Sequence, residues 1–146
     1  AVTAPAQTRI LIAEDHYIAR VGTATILRTQ PDFELCGEAR DGAEAVEQYR
    51  ALRPDVLITD LRMPKQDGVQ VVGSICSEFP NARVLVLTHY DGDEDIFRAL
   101  RAGARGYLTK NTGGEALIDA VRTLMAGGRY FPAEIAARVV TRSVQS

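Results

Sequence analysis

Five short apolar runs, separated by segments long enough to form helices, constrain the fold of this chain most strongly. The runs cover residues 9–13, 33–39, 55–60, 83–88 and 106–109. Most of them lack polar alternation, which indicates strands that are buried on both faces. Neighbouring parallel strands need a crossover of about a dozen residues or more, which usually contains a helix and makes a right-handed connection. The pattern therefore predicts a doubly wound α/β domain, with a five-stranded parallel sheet and helices on both faces.

Polar and glycine residues between the runs agree with helices in these crossovers. Asp67 and Asp93 lie where helices should begin, and we expect both to be helix N-caps. Gly103 lies where the helix after the fourth run should stop. The start and stop signals therefore support the same order of elements as the apolar runs.

The two ends of the chain differ from its middle. Residues 1–8 are rich in Ala, Thr and Pro without periodicity, which predicts a flexible N-terminal tail. Residues 128–146 have apolar positions spaced by four after Pro132, which is typical of an extra helix or a linker. We therefore predict one domain over residues 9–127, in a chain of 146 residues of which 46% are hydrophobic.

Charge and cysteine content narrow the function classes. The formal net charge is -2, so the chain has no basic field for nonspecific nucleic-acid binding. Cys36 and Cys76 have no partners at metal-ligand spacing, which indicates free thiols in a reducing compartment. No apolar run approaches the roughly 18 to 20 residues of a membrane span, and the first residues lack a signal-peptide core. We therefore predict a cytoplasmic protein without membrane contact.

Charged and polar side chains follow the predicted strands at the edge where α/β sheets bind ligands. They are Glu14 and Asp15 after the first strand, Asp60 after the third, Thr88 after the fourth and Lys110 after the fifth. The carboxyl ends of parallel strands meet at one edge, so these residues are predicted to converge. Three carboxylates a few ångströms apart repel by about 1 kcal/mol per pair in water, and by about 4 kcal/mol near a protein surface.

Such a cluster requires cations. Lys110 supplies one positive charge, and a hard divalent ion such as Mg²⁺ or Mn²⁺ would supply the rest. The ion would shield an incoming phosphoryl group, so that the anionic Asp60 attacks as a nucleophile and becomes an aspartyl phosphate. Taken alone, Asp60 would be a loop residue or a helix cap, and Lys110 a solvated charge. The combination of five residues favours the functional interpretation.

The motifs ILIAEDH, DVLITDLRMPKQDG, VLVLTHYD and ARGYLTK resemble those of response regulator receiver domains, over roughly residues 9–127. This resemblance implies the flavodoxin-like receiver fold with strand order 2-1-3-4-5. It also implies that Asp60 is the phosphoacceptor for a cognate histidine kinase. Self-phosphorylation and autodephosphorylation would be the only reactions that the chain itself promotes, so it would not be an enzyme with turnover.

The same resemblance implies a metal site. Asp15 would bind Mg²⁺ or Mn²⁺ directly, and Glu14 would act on it largely through water. Asp60 and the backbone carbonyl of Arg62 would complete the protein ligands. His16 borders this site, but a lone exposed histidine is more often a bystander than a ligand, so it is not assigned to the site; the same holds for His89.

The resemblance further implies a switch. Thr88 and Lys110 would each bond a phosphoryl oxygen, and Tyr107 occupies the family's switch-aromatic position, where the ring turns inward as Thr88 moves. Asn111 stands where many receivers have proline after the lysine, and a cis bond is unusual there without proline. Tyr90 and Arg62 each lie two residues beyond a site residue, and we hypothesise that they control water access to the phosphoryl group.

The stretch ARGYLTKN with the later GGRYFPAEIAARVV is similar to the NarL/FixJ subfamily, whose members carry a LuxR-type helix-turn-helix after a linker. This similarity implies transcriptional control, homodimerisation on phosphorylation, and DNA binding only through an output domain that is not among these residues. The alternative is a lone receiver that acts in a phosphorelay or by protein contact. The sequence leaves both possibilities open.

Two other function classes lack the residues that they need. Hydrolases and phosphotransferases with an Asp nucleophile commonly carry a second acid two residues later, where this chain has Arg62. Flavodoxin-like and dinucleotide-binding modules need a Gly- or hydroxyl-rich loop after the first strand, where this chain has AEDHYIAR. We therefore expect neither turnover nor nucleotide binding.

Overall fold

A parallel sheet of five strands forms the centre of the computed structural model, which describes residues 7–64, 67–89 and 92–145. The strands are β1 (Thr8–Ala13), β2 (Phe33–Ala39), β3 (Val56–Thr59), β4 (Val84–Thr88) and β5 (Gly106–Thr109). Their order is β2-β1-β3-β4-β5, which confirms the predicted fold and strand order. Thr8, which we had placed in the N-terminal tail, pairs with Phe33 at the start of β1. Residues 1–6 of that predicted tail lie outside the described residues.

Helices connect the strands and cover both faces of the sheet. They are α1 (Tyr17–Arg28), α2 (Gly42–Leu52), α3 (Gly68–Glu78), α4 (Asp93–Ala102), α5 (Gly114–Met125) and α6 (Ala133–Gln145). In the part of the chain that the structure describes, no helix has the length and apolar character that a membrane crossing requires.

The helix ends follow the predicted signals with one exception. Asp67 caps α3, because its side chain accepts a hydrogen bond from the Val69 N–H at 2.7 Å. Gly103 ends α4 with a φ of 118°, a left-handed conformation that favours glycine. The expectation that Asp93 caps α4 is wrong, because the N-cap is Gly92 and Asp93 is the first helical residue. In the first turn, its negative charge favours the helix dipole instead.

Alternate residues of each strand pack into two separate apolar layers. Leu11 and Ala13 of β1 lie in the layer with α2, α3 and α4, whereas Ile10 and Ile12 lie in the layer with α1 and α5. All four are buried. Burial on both faces explains why the apolar runs lack alternation. The sheet is therefore a rigid support for the side chains that follow its carboxyl edge.

The segment after α5 completes the β5 edge of the sheet. The Tyr107 N–H donates to the Tyr130 carbonyl at 3.0 Å, and the Tyr130 N–H donates to the Arg105 carbonyl at 3.0 Å. Farther along the chain, α6 places the fully buried Ile135 in the layer formed with α2, α3 and α4. Helix α6 is therefore packed against the sheet domain.

Both cysteines lie apart from the carboxyl edge of the sheet. Cys36 on β2 and Cys76 on α3 are free thiols, each half-buried against the layer of α2, α3 and α4. Burial raises the pKa of both thiols above the ordinary value. Because the thiolate is the reactive form, these cysteines are poor nucleophiles.

Candidate functional site

The side chains predicted to converge lie together at the carboxyl edge of the sheet. Backbone hydrogen bonds that continue the strand pairing fix three of them: Glu14 N–H to the Ala39 carbonyl (2.9 Å), Asp60 N–H to the Ala13 carbonyl (3.1 Å) and Lys110 N–H to the Thr88 carbonyl (2.9 Å). Each side chain therefore starts from a rigid anchor. We call the space between Glu14, Asp15, Asp60 and Lys110 the acidic pocket.

Lys110 bridges the two most buried acids of the acidic pocket. Its Nζ donates to Asp60 Oδ2 at 2.6 Å and to Glu14 Oε2 at 2.8 Å. Glu14 and Asp60 are each only 4% exposed, and buried charges are stable only when they are paired. A lysine after β5 therefore holds together acids that come from β1 and β3.

Asp60 is held in its ionised form. Its Oδ1 accepts a hydrogen bond from the Leu61 N–H at 2.7 Å, and the Arg62 N–H lies at 3.5 Å. Burial by itself raises the pKa of Asp60, but hydrogen bonds from Lys110 and Thr88 outweigh it, so this pKa lies below its ordinary value. An ionised carboxylate oxygen is what nucleophilic attack on phosphorus requires.

The two partners of Asp60 in this network have raised pKa values for different reasons. Burial raises the pKa of Glu14, and the nearby Asp60 adds to the effect, although the bond from Lys110 opposes it. Burial alone would lower the pKa of Lys110, but its hydrogen bonds to Asp60 and Glu14 raise it. The acidic pocket therefore has a firm negative charge on Asp60, a firm positive charge on Lys110, and a second acid that another cation would help to ionise.

The oxygen atoms that remain fit a divalent cation. Asp15 Oδ1 is buried and accepts no hydrogen bond from any described residue, since His16 Nδ1 lies 3.3 Å away without hydrogen-bond geometry. One ligand atom from each of Glu14, Asp15, His16 and Asp60 lies within 4.8 Å of the others. Oxygen ligands of a single ion, at about 2.0 to 2.6 Å from it, lie at most roughly 4 to 5 Å apart. The spacing of these atoms therefore suits a single divalent cation.

Gly68, the first residue of α3, permits a close approach of the chain to Asp60. Its N–H donates to the Leu61 carbonyl at 2.8 Å. A Cβ at this position would overlap the Asp60 carbonyl oxygen and would lie 2.5 Å from Leu61 Cα. Because both neighbours are backbone atoms, they cannot move aside as a flexible side chain can. The position of Asp60 therefore depends on a glycine that lies eight positions later in the sequence.

Of the two predicted switch residues, Thr88 contacts the acidic pocket and Tyr107 is buried in the apolar core. Thr88, the last residue of β4, is fully buried and its side chain is hydrogen-bonded to Asp60. Tyr107 on β5 is also fully buried, in the same apolar layer as Ile135 of α6. The ring of Tyr107 is therefore packed inside the domain in this structure.

The loop residue Arg62 reaches from β3 toward α4. Its guanidinium pairs with Asp95 at 3.5 Å, a contact that the sequence did not predict. The use of its carbonyl as a metal ligand stays a prediction.

All peptide bonds of the described residues are trans, including that between Lys110 and Asn111. Tyr90 lies outside the described residues.

His16, which was expected to border the site only as a bystander, also reaches the acidic pocket. Its Nδ1 lies 2.9 Å from Glu14 Oε1. The signal that could have found it is its place directly after two acids, where the chain turns from β1 into α1 and the side chains of consecutive residues stay close. Among the described residues, the group of potential metal ligands includes His16 but not His89.

Known proteins are similar to this chain in sequence and in fold. The sequence profile of the response regulator receiver domain matches residues 10–122. The Oxygen regulatory protein NreC of Staphylococcus carnosus (strain TM300) is 40% identical over 139 residues, which make up 94% of this chain and 64% of that protein. This chain therefore spans less than two thirds of the length of that relative.

Two solved structures show the same fold at comparable identity. A two-component response regulator of the LuxR family from Aurantimonas sp. SI85-9A1 is 31% identical with a TM-score of 0.88, over 95% of this chain and 99% of that chain. The signal receiver domain of a NarL protein from Mycobacterium tuberculosis is 35% identical with a TM-score of 0.75, over 81% of this chain and 98% of that chain.

Proposed function

This chain belongs to the receiver domains of two-component response regulators, of the NarL/LuxR type, and on that premise we propose that Asp60 accepts a phosphoryl group from a histidine kinase. Membership confirms the resemblance that the sequence motifs indicated. The observation that carries the proposal is the contact between the ionised Asp60 and Lys110, at 2.6 Å in a buried pocket.

The residues of the acidic pocket would promote the transfer by positioning and charge. A carboxylate oxygen of Asp60 attacks the phosphorus of phosphohistidine, while the P–N bond breaks and its electron pair leaves with the imidazole, which takes a proton from solvent. Lys110 pairs with a phosphoryl oxygen as negative charge enters the pocket. The Leu61 N–H, bound to Asp60 Oδ1 at 2.7 Å, keeps the carboxylate oriented.

A divalent cation fits this proposal. Asp15 and Asp60 would hold Mg²⁺ or Mn²⁺ directly, the Arg62 carbonyl would add a ligand, and Glu14 would act largely through water. When bound, the cation would neutralise charge between the carboxylates and the phosphoryl oxygens. Two observations favour the binding of a cation in the acidic pocket. The buried Asp15 Oδ1 accepts no hydrogen bond from the described residues, and the pKa of Glu14 is raised.

Phosphorylation would change the contacts of β4 and β5. The Thr88 hydroxyl, now bonded to Asp60, would transfer to a phosphoryl oxygen. Thr88 pairs with Thr109 across the two strands, and Val86 pairs with Tyr107, so a movement of β4 reaches Tyr107 directly. We therefore propose a two-state equilibrium of β4, α4 and β5 that the phosphoryl group shifts.

The response that phosphorylation of this protein produces is proposed here from its family. We propose that residues 9–127 are the receiver unit, that residues 128–146 lead toward a DNA-binding output domain, and that phosphorylation favours a homodimer. The NreC relative, of which this chain covers 64%, supports this interpretation. The alternative is a lone receiver that acts by protein contact. A cytoplasmic location also stays a prediction.

We propose stoichiometric phosphorylation rather than catalytic turnover. The position two residues after Asp60, where Asp-based phosphotransferases commonly carry an acid, is Arg62, and its guanidinium is paired with Asp95 on α4. The chain therefore offers no acid at that position to serve a leaving group.

Intact-mass measurement after treatment with acetyl phosphate and Mg²⁺ tests this function. We expect one added phosphoryl group on the wild-type chain, none in the presence of a chelator, and none on Asp60→Asn. Asp119→Asn, a change at an exposed aspartate of α5, is the matched control and should be labelled like the wild type. Labelling of Asp60→Asn equal to that of the control would contradict the proposal.

A further inference from the structure

His16 has an orientation that its place in the helix does not explain. It is the N-cap of α1, yet its side chain makes no capping hydrogen bond. Side chains that cap helices are usually those of Ser, Thr, Asp or Asn. The side chain is 69% exposed, so packing does not hold it either. Its contact with the acidic pocket is therefore the main structural constraint on the ring.

The ring of His16 meets the two acids at oxygens that Lys110 leaves unused. Its Nδ1 lies 2.9 Å from Glu14 Oε1 and 3.3 Å from Asp15 Oδ1. Lys110 instead binds Glu14 Oε2 at 2.8 Å. Asp15 Oδ1 accepts no hydrogen bond from the described residues. An imidazole nitrogen and an oxygen with unused lone pairs therefore border the same space.

We propose that His16 contributes an imidazole nitrogen to the divalent cation of the acidic pocket. This inference rests on the proposed function, because the cation is the one that phosphorylation would use. Ligand atoms of His16, Glu14, Asp15 and Asp60 already lie within 4.8 Å of one another, so the four side chains are close enough to bind one ion.

A nitrogen ligand changes which ion the acidic pocket prefers. Mg²⁺ favours oxygen ligands and keeps its waters, whereas imidazole suits transition ions, whose affinities rise from Mn²⁺ toward Ni²⁺ and Cu²⁺. His16 therefore shifts the preference from Mg²⁺ toward Mn²⁺ and the later divalent ions, relative to a pocket made of oxygen ligands alone.

Pulsed electron paramagnetic resonance of the bound Mn²⁺ tests this ligand directly. Nitrogen coordination gives a modulation from the ¹⁴N nucleus, and we expect it in the wild-type chain and not in His16→Ala. The ratio of Mn²⁺ to Mg²⁺ affinity, measured by competition, should fall about 10-fold or more in His16→Ala, the size of effect expected when a supporting metal contact is lost. Because His16 is exposed, this change should leave the fold intact.

His89→Ala is the matched control, because His89 is the other histidine of the chain and lies on the exposed surface after β4. It should retain both the nitrogen modulation and the ion preference. Absence of the modulation from the wild type, or its persistence in His16→Ala, would overturn the inference. If the wild type is still phosphorylated in a cation-dependent way, only the role of His16 fails and the proposed function stands.

Discussion

At the scale of single residues, Lys110 joins the two most buried acids of the acidic pocket. Its ammonium is hydrogen-bonded to both Asp60 and Glu14, and each of these acids is almost entirely buried. Removing one partner of a buried ion pair costs more than the pair contributes, because the other charge stays buried without compensation. The lysine therefore stabilises the fold as well as the proposed transfer.

Lys110→Met should lower the free energy of unfolding by about 3 kcal/mol in the presence of a chelator. This value is near the lower end of the range expected when one partner of a buried ion pair is removed. We expect the lower end because Glu14, whose pKa is already raised, can take up a proton. Excess Mg²⁺ should restore part of the loss, since a bound ion stabilises the folded state. Urea unfolding with and without Mg²⁺ measures both effects.

Arg98→Met is the control for Lys110→Met, because it removes a positive charge from an exposed position of α4. Its effect should stay within about 0.5 kcal/mol. Equal stability of the Lys110 and Arg98 variants in chelator would show that the bridge between the two acids contributes little.

Gly68→Ala should impair both stability and phosphorylation. The added Cβ overlaps the backbone of Asp60 and Leu61, so the loop must shift and carry Asp60 away from Lys110. Gly73→Ala, on the same helix with its nearest neighbour at 3.9 Å, is the control, and should be neutral or more stable by roughly 0.5 to 1 kcal/mol. Phosphorylation rates with acetyl phosphate distinguish the two, and equal rates would contradict the role given to Gly68.

At the scale of elements, α6 is fixed to the domain by contacts of two kinds. Ile135 is fully buried in the layer of α2, α3 and α4. Arg138 pairs with Asp93 at 3.2 Å, in the same first turn of α4 where Arg62 pairs with Asp95 at 3.5 Å. The start of α4 is therefore held from the side of the acidic pocket and from the side of α6.

Ile135→Ala should lower the free energy of unfolding by about 2 to 5 kcal/mol, because it removes a fully buried side chain. Val140→Ala on the same helix is the control, since Val140 is 62% exposed and its truncation should cost less than about 0.5 kcal/mol. Denaturant unfolding compares them. A loss of similar size in both variants would mean that α6 does not pack as described.

Much of the element pattern could be predicted from the sequence, for reasons that the structure makes plain. Strands β2 and β5 have the predicted bounds, because their apolar runs end where the chain leaves the sheet. The cap of α4 could not be predicted, since Asp93 and Gly92 are both acceptable caps by composition. The burial of Ile135 could not be predicted either. An amphipathic helix has the same hydrophobic pattern whether it packs on its own domain or on another one.

At the scale of the whole molecule, topology assembles the acidic pocket from three distant stretches of chain. The order β2-β1-β3-β4-β5 places β1, β3, β4 and β5 side by side, and parallel strands end at the same edge. The sequence could therefore predict that Asp15, Asp60 and Lys110 converge. It could not predict the contact of Arg62 with Asp95, because this depends on a rotamer and a loop path that no periodicity encodes.

The most direct measurement is the chemical mapping of the phosphorylated residue. Borohydride reduction converts an aspartyl phosphate into homoserine, which peptide mass spectrometry locates in the chain. After phosphorylation with acetyl phosphate and Mg²⁺, we expect homoserine at position 60 alone. Homoserine at position 15, or a phosphorylated chain in which Asp60 is unaltered, would contradict the assignment of Asp60 as the phosphoacceptor.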